Sequence, residues 1–160
     1  MLFRSSGARQ STNYTRPPLF YEDTRLPESD RISTRTFGGG YDRGHMVPNF
    51  AINTMYGKLG QLETFFMSNI SPQKAGLNRG AWQRLEHDIV TDFAPAWDHI
   101  WVLCGPIFGS NPEQIRGIDV PTHFYMILVD VHGRSNTPDV LALKLPQTLS
   151  QGQRVSQDHI

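Results

Sequence analysis

Four consecutive residues, Asp42-Arg43-Gly44-His45, place a guanidinium two positions before an imidazole. Further along come Asn69 and then Leu77-Asn78-Arg79-Gly80-Ala81-Trp82-Gln83-Arg84-Leu85-Glu86, which add neutral amide oxygens and a carboxylate. A base, a phosphate-binding fork, an oxygen ligand for a hard cation and a carboxylate in its outer sphere are the parts that metal-assisted hydrolysis of a phosphodiester requires.

His45 is the candidate general base, because a neutral imidazole accepts a proton near neutral pH with little tuning. Arg43 stands two residues earlier, so on an extended strand both side chains point to one face, one to hold a phosphate oxygen and the other to polarise water. Asp42 then faces the other way, where a salt bridge or turn hydrogen bond is favoured over metal ligation. Gly44 admits a close backbone approach or an unusual dihedral, and a plain β-bulge explains it equally well.

Asn78 falls where a turn gives way to a helix; its amide oxygen suits Mg²⁺ without adding negative charge, and a simple N-cap is the competing role. Positions 78, 82 and 86 are spaced by four, so Asn78, Trp82 and Glu86 share one side of that helix. Glu86 is thereby placed to hold water on the same ion, against the alternative of an exposed carboxylate or a partner for Arg79 or Arg84. Asn69 is placed to fix the imidazole or the scissile phosphate, unless it only shapes the turn before Ser71-Pro72. The other histidines, His87, His99, His123, His132 and His159, have no zinc-ligand spacing and are expected to be structural or exposed.

The elements that must carry these groups follow from pattern. A strand over 41–47 ends at Pro48, and a short helix follows on Ile52, Met55, Tyr56, Leu59 and Leu62. The β-forming run 64–68 predicts a second strand. The strongest helix starts at 78 or 79 and runs to about 93 on Trp82, Leu85, Ile89, Val90 and Phe93, with Pro95 closing it. Segments 100–104, 124–131 and 140–145 read as core strands, and 1–36 as a polar, Arg-rich arm with at most one short strand. Neither a repeat nor an interior linker interrupts 1–160, so one domain is expected.

At 160 residues the chain is long enough to bury a core without staples. Hydrophobic residues at 38% and charged residues at 19% are ordinary globular values, while 14 Gly and 11 Pro imply extensive loops. The net charge of zero gives no global sign of a polyanionic partner, so the local arginines matter more. Most of those outside the motifs, including Arg4, Arg9, Arg31 and Arg35, are expected to be solvated surface charges. The single cysteine, Cys104, lies in the apolar run 100–104 and reads as a small buried hydrophobe, which excludes an intrachain disulfide and argues against a thiol nucleophile. No apolar stretch is long enough for a bilayer and no secretory signal is present; no membrane partner is expected and the compartment is left open.

Taken in order, Gly40-Tyr41-Asp42-Arg43-Gly44-His45-Met46-Val47-Pro48, Met67-Ser68-Asn69-Ile70-Ser71-Pro72-Gln73, Leu77-Asn78-Arg79-Gly80-Ala81-Trp82 and Leu85-Glu86 resemble the sugar-nonspecific DNA/RNA endonuclease family. Weaker likeness continues into Gly105-Pro106-Ile107-Phe108 and Val120-Pro121-Thr122-His123-Phe124-Tyr125. The resemblance implies an α+β fold with a central antiparallel sheet and a ββα-metal (His-Me finger) motif. It implies His45 as general base, Asn78 as direct ligand of Mg²⁺ (with Mn²⁺ as a substitute), Glu86 acting through water, and Arg43 and Asn69 at the scissile region. An upstream arginine would steady the transition state; Arg16, before Pro17-Pro18-Leu19-Phe20, aligns with it, and Arg25 is the substitute. DNA and RNA would be cut to leave 5′-phosphates, often by a homodimer. Family domains usually carry β structure before that arginine and a closing segment after the point where this chain stops, so the chain reads as shortened at one or both ends. Two competing readings are a catalytically impaired relative that binds nucleic acid or a protein, and a toxin-like nuclease held by an inhibitor or immunity protein. A metal-free phosphodiesterase would leave Asn78 and Glu86 without a task.

Overall fold

The computed structural model describes residues 2–6, 14–97, 99–133, 137–156 and His159. In chain order its elements are β1 (Leu2–Ser6), β2 (Tyr41–His45), α1 (Asn49–Glu63), β3 (Ile70–Lys74), α2 (Ala75–Leu77), α3 (Gln83–Asp88), α4 (Ala94–Trp97), β4 (His99–Ile107), β5 (Gln114–Ile115), β6 (Ile118–Asp119), β7 (His123–Asp130) and β8 (Asp139–Pro146). Wider, π-type turns at Asn78–Trp82 and Ile89–Phe93 join α2, α3 and α4 into one helical run over 75–97.

Burial alternates at every residue of β7, with Phe124, Met126 and Leu128 inside, as a strand covered on one face must. Antiparallel pairing of β7 with β4 and β8, and of β4 with β1, builds a four-stranded sheet in the order β1-β4-β7-β8. Its apolar face meets Leu77, Ala81, Trp82, Leu85, Ile89, Val90 and Ala94 from the helical run, together with Ala51 and Ile52 of α1. Each large side chain fully withdrawn from water here contributes roughly 1.5–3 kcal/mol. Cys104 is fully buried in this core, and its thiol, pushed up to about 12 by burial, is no nucleophile.

A separate hairpin, β2 against β3, carries the motif residues, with Arg43 opposite Pro72 and His45 opposite Ile70. The backbone at Gly44 has an ordinary φ, so close approach is what the glycine serves: a Cβ there would collide with the buried side chain of Gln73.

The structure corrects three expectations. The second strand is not 64–68 but β3, and the intervening Met67–Asn69 forms a 3₁₀ turn. Phe65 and Met67 spend their apolar surface in the core rather than in a ladder, and tertiary burial outweighs their β preference. Pro95 does not close the helix, which runs on to Trp97; the proline sits in the first turn of α4, just after a π-type turn. The helix after Pro48 extends over Asn49–Glu63 but is broken at Gly57, whose φ of 72° lies in the left-handed region.

Candidate active site

His45 ends β2 and is only 7% exposed, with its ring against Phe65 (centroids 4.9 Å apart) and Phe20 (5.6 Å). Its carbonyl accepts a hydrogen bond from the Trp82 indole at 3.0 Å, which ties the hairpin end to the helical run. Burial, and after it the positive charge of Arg16, pushes the imidazole down to about 3, so it stands neutral and able to accept a proton. Its Nε2 is buried and has no hydrogen-bond partner among the described residues.

His45 is among the residues lining a cavity of about 290 Å³, with Arg16, Asn49, Gln83 and Glu86, and with Phe50 and His87 stacked on each other at 5.5 Å. Arg16 is held with its guanidinium 5.0 Å above the Phe65 ring. Burial pushes the Glu86 carboxyl up to about 8, opposed by the Trp82 indole N–H and by Arg16. A larger cavity, about 540 Å³ and lined by Phe3, Tyr56, Trp101 and neighbours, holds neither His45 nor Glu86.

Several expectations from sequence meet here. Arg16, His45 and Glu86 come together from three distant stretches of chain. Arg25 does not join them; it forms a bidentate pair with the buried Asp23 at 2.8 and 2.9 Å and lies over Phe66. Arg43 and His45 do share one face of β2, since Arg43 lies 5.4 Å over the same Phe20 ring, with its Nη2 donating to the Thr34 carbonyl at 2.6 Å. Arg43 is not part of the cavity lining. Asp42 faces the other way, as a structural carboxylate: Arg79 grips it at 2.7 and 2.8 Å, and this pairing, with a hydrogen bond from Asn78, holds it below the usual carboxylate range.

Asn78, Trp82 and Glu86 all turn towards β2, through Asp42, the His45 carbonyl and the cavity respectively. Asn78 is itself not a lining residue of that cavity. Its Nδ2 donates to Asp42 at 2.9 Å, which directs its Oδ1 away from that carboxylate.

Asn69 is a correction. It is 2% exposed, its Oδ1 accepts from the Val47 N–H at 2.9 Å, and its Nδ2 donates to the Val47 and Thr64 carbonyls, each at 3.0 Å. Its backbone carbonyl also takes the Met46 N–H. It locks the chain leaving His45, and no polar atom of its side chain is left over for a phosphate. Arg84, which with Arg79 was the alternative partner for Glu86, donates instead to the carbonyls of Gln151 and Gln153. His87 is exposed as expected, yet lines the cavity. Asn49 was missed: it opens α1 directly after Pro48, and only its position one turn beyond His45 pointed to it.

No group of three or more His, Cys, Asp or Glu side chains forms a metal site among the described residues. The donors present suit a hard, hydrated cation nonetheless. Asn78 offers a neutral oxygen oriented by Asp42, and burial holds the Glu86 carboxyl above its usual range despite Arg16, a cost that a nearby cation would relieve.

The chain matches the DNA/RNA non-specific endonuclease family over residues 2–157. It is 30% identical over 139 residues to mitochondrial endonuclease G of Bos taurus, covering 79% of this chain and 44% of that protein. Similar figures, 30% over 144 residues and again 79% and 44%, relate it to the mitochondrial Nuclease 1 of Schizosaccharomyces pombe. The chain thus spans less than half the length of these curated relatives. In fold it is similar to a chain in the crystal structure of an EndoG/EndoGI complex, with a TM-score of 0.79 and 23% identity over 95% of this chain and 68% of the other. With a mixed α and β architecture, an antiparallel sheet and the motif-bearing hairpin all in place, the chain belongs to the DNA/RNA non-specific endonuclease family.

Proposed function

We propose that the chain is a Mg²⁺-dependent endonuclease that hydrolyses DNA and RNA with little regard to sequence and leaves 5′-phosphates. One observation carries this reading: a neutral, buried imidazole shares a cavity with a guanidinium and a carboxyl group, His45 with Arg16 and Glu86.

His45 takes a proton from the attacking water. Arg16, held over the Phe65 ring, faces the negative charge that gathers on the phosphate oxygens. Arg43 secures a neighbouring stretch of the substrate backbone. Asn78 would hold a divalent ion directly and Glu86 would hold it through an intervening water; such an ion would supply charge neutralisation for phosphate and the departing oxygen. Because these groups address phosphate rather than base edges, discrimination between sequences is weak and affinity falls steeply with salt.

The test is incubation of the purified chain with plasmid and with RNA, in Mg²⁺ or in chelator. Wild-type protein cuts both only with the ion. His45→Ala loses cleavage and keeps binding; near-normal turnover in that variant would remove the assigned base.

A proteinaceous inhibitor is a second element of the reading, favoured by the fold neighbour, whose structure is a nuclease in complex with its inhibitor. Co-purification of a small protein that abolishes cleavage when added back is the corresponding test.

A further inference from the structure

The short hairpin of β5 and β6 closes on two residues, Arg116 and Gly117, both at positive φ (48° and 84°), the signature of a type I′ turn. Asn, Asp or Gly ordinarily fills the first of those positions, because other side chains are strained in the left-handed region. Among the described residues Arg116 is the one non-glycine with a positive φ. The turn itself gains nothing from an arginine, so the position serves the side chain.

That side chain reaches the same turn that Arg43 holds. Arg116 Nη1 donates to the Arg35 carbonyl, and Arg43 Nη2 donates to the adjoining Thr34 carbonyl at 2.6 Å. Carbonyls of consecutive residues stand so close that the two guanidinium groups lie within about 10 Å of each other. Arg43 in turn is 5.4 Å from the Phe20 ring, whose centroid is 5.6 Å from that of His45. An unbroken set of contacts thus joins the candidate base to the hairpin tip. It limits their separation to about 23 Å, or about seven nucleotides at roughly 3.4 Å each along one strand.

Charge points the same way. Arg35 and Arg116 are exposed and Arg43 is half-buried, and none of the three has a carboxylate partner among the described residues, unlike Arg25 and Arg79. The acids that flank the hairpin tip are engaged elsewhere, Glu113 by the Tyr41 hydroxyl and Asp119 by the Gln114 amide. We infer that Arg116, with Arg35 beside it, binds a backbone phosphate of the substrate outside the scissile position, so that the β5–β6 hairpin extends the nucleic-acid track beyond the cavity. The inference rests on the nuclease reading and deepens it. Arg116 spends one nitrogen on the Arg35 carbonyl and keeps further N–H donors for an anionic oxygen, a contact that holds the strand without reading bases.

Binding of a labelled duplex of about 20 base pairs to the full chain, followed by fluorescence anisotropy in chelator over a salt series, tests this without cleavage. Arg116→Asn removes the guanidinium and suits the turn better, while Arg35→Gln removes the neighbouring one and keeps the carbonyl that Arg116 uses. Lys58→Ala makes the same change in net charge at an exposed position of α1. Each arginine variant should weaken binding about 3–10-fold at about 0.1 M salt and flatten the slope of log K against log salt by about 0.9. The melting temperature of Arg116→Asn should stay at or above that of wild type, and Lys58→Ala should bind within about twofold of it. Wild-type affinity and slope in either arginine variant, or losses no larger than that of Lys58→Ala, would overturn the inference. So would a loss in Arg116→Asn accompanied by a fall in melting temperature, since Arg116 would then be only a pin for the Arg35 carbonyl. A wild-type chain that neither binds nor cuts the duplex would instead dispose of the nuclease reading beneath it.

Discussion

Arginine is the most frequent basic residue near the motifs, yet the structure gives each one a different occupation. Arg25 is consumed by Asp23, Arg79 by Asp42, and Arg84 by two carbonyls of the C-terminal segment. Arg16 alone of these four faces the cavity that holds His45 and Glu86. Arg16→Ala is therefore expected to lower kcat by about 10²–10³-fold, the usual cost of removing one charge-stabilising donor, with thermal stability little changed. Arg25→Ala should leave kcat within about threefold and act on stability instead, because it strips Asp23 of its main partner. Steady-state cleavage of a short duplex by the two variants, with melting curves, separates them; equal losses of kcat would refute the assignment. Sequence could name both arginines and not choose between them, since the choice depends on whether a carboxylate two residues away captures the side chain. The same limit explains Asn69. A turn-forming asparagine and a phosphate-contacting one have the same sequence context, and only the saturation of its amide by Val47 and Thr64 decides.

Between residues and fold stand the elements that hold the groups at fixed separation. Period-two burial in β7 and the apolar face of Trp82, Leu85, Ile89 and Val90 were readable directly, because both patterns are imposed by the core alone. The position of β3 was not, since its Ile70-Ser71-Pro72-Gln73-Lys74 has weak strand propensity and its pairing is specified by β2 and by Gln73 filling the space over Gly44. Nor were the π-type turns, which leave no mark in composition. Asp42 is the link between this hairpin and the helical run, through Asn78 and Arg79. Asp42→Ala should free the Asn78 amide to rotate and lower Mg²⁺ affinity by about 10–100-fold by calorimetry. Unchanged affinity would show that Asn78 is not a ligand. Gly80 makes a different contact, since a Cβ there would come within 2.8 Å of the Gln151 Cα. Gly80→Ala should cost about 1–3 kcal/mol in urea unfolding by displacing that segment, leaving Mg²⁺ affinity intact.

At the scale of the molecule, the site is a burden on folding, and pH reveals how large. His45 titrates at about 3 when folded against an ordinary 6.5, so protons favour the unfolded chain and stability falls as pH drops from 6.5 through 3. Glu86 is displaced the other way, from 4.5 to about 8; here the folded state binds the extra proton, and stability falls as pH rises from 4.5 through 8. Between 4.5 and 6.5 the two slopes oppose and cancel. On the acid side Asp23 and Asp42, both held below the usual carboxylate range by their arginines, add to the loss as they protonate. The alkaline side is thus the informative one. In chelator, the metal-free chain should lose at most about 2 kcal/mol between pH 6.5 and 8, at 1.36 kcal/mol per pH unit for one proton. Glu86→Gln should abolish that slope and extend the acid limb up to pH 6.5, because the His45 slope is then no longer opposed. Added Mg²⁺ should flatten it too, because a cation that favours the carboxylate removes the reason for the folded state to hold the proton. Urea unfolding at intervals across this range, with and without the ion, makes the comparison. A slope untouched by both the substitution and the metal would mean that Glu86 is already ionised in the folded chain and that the cavity was never short of positive charge.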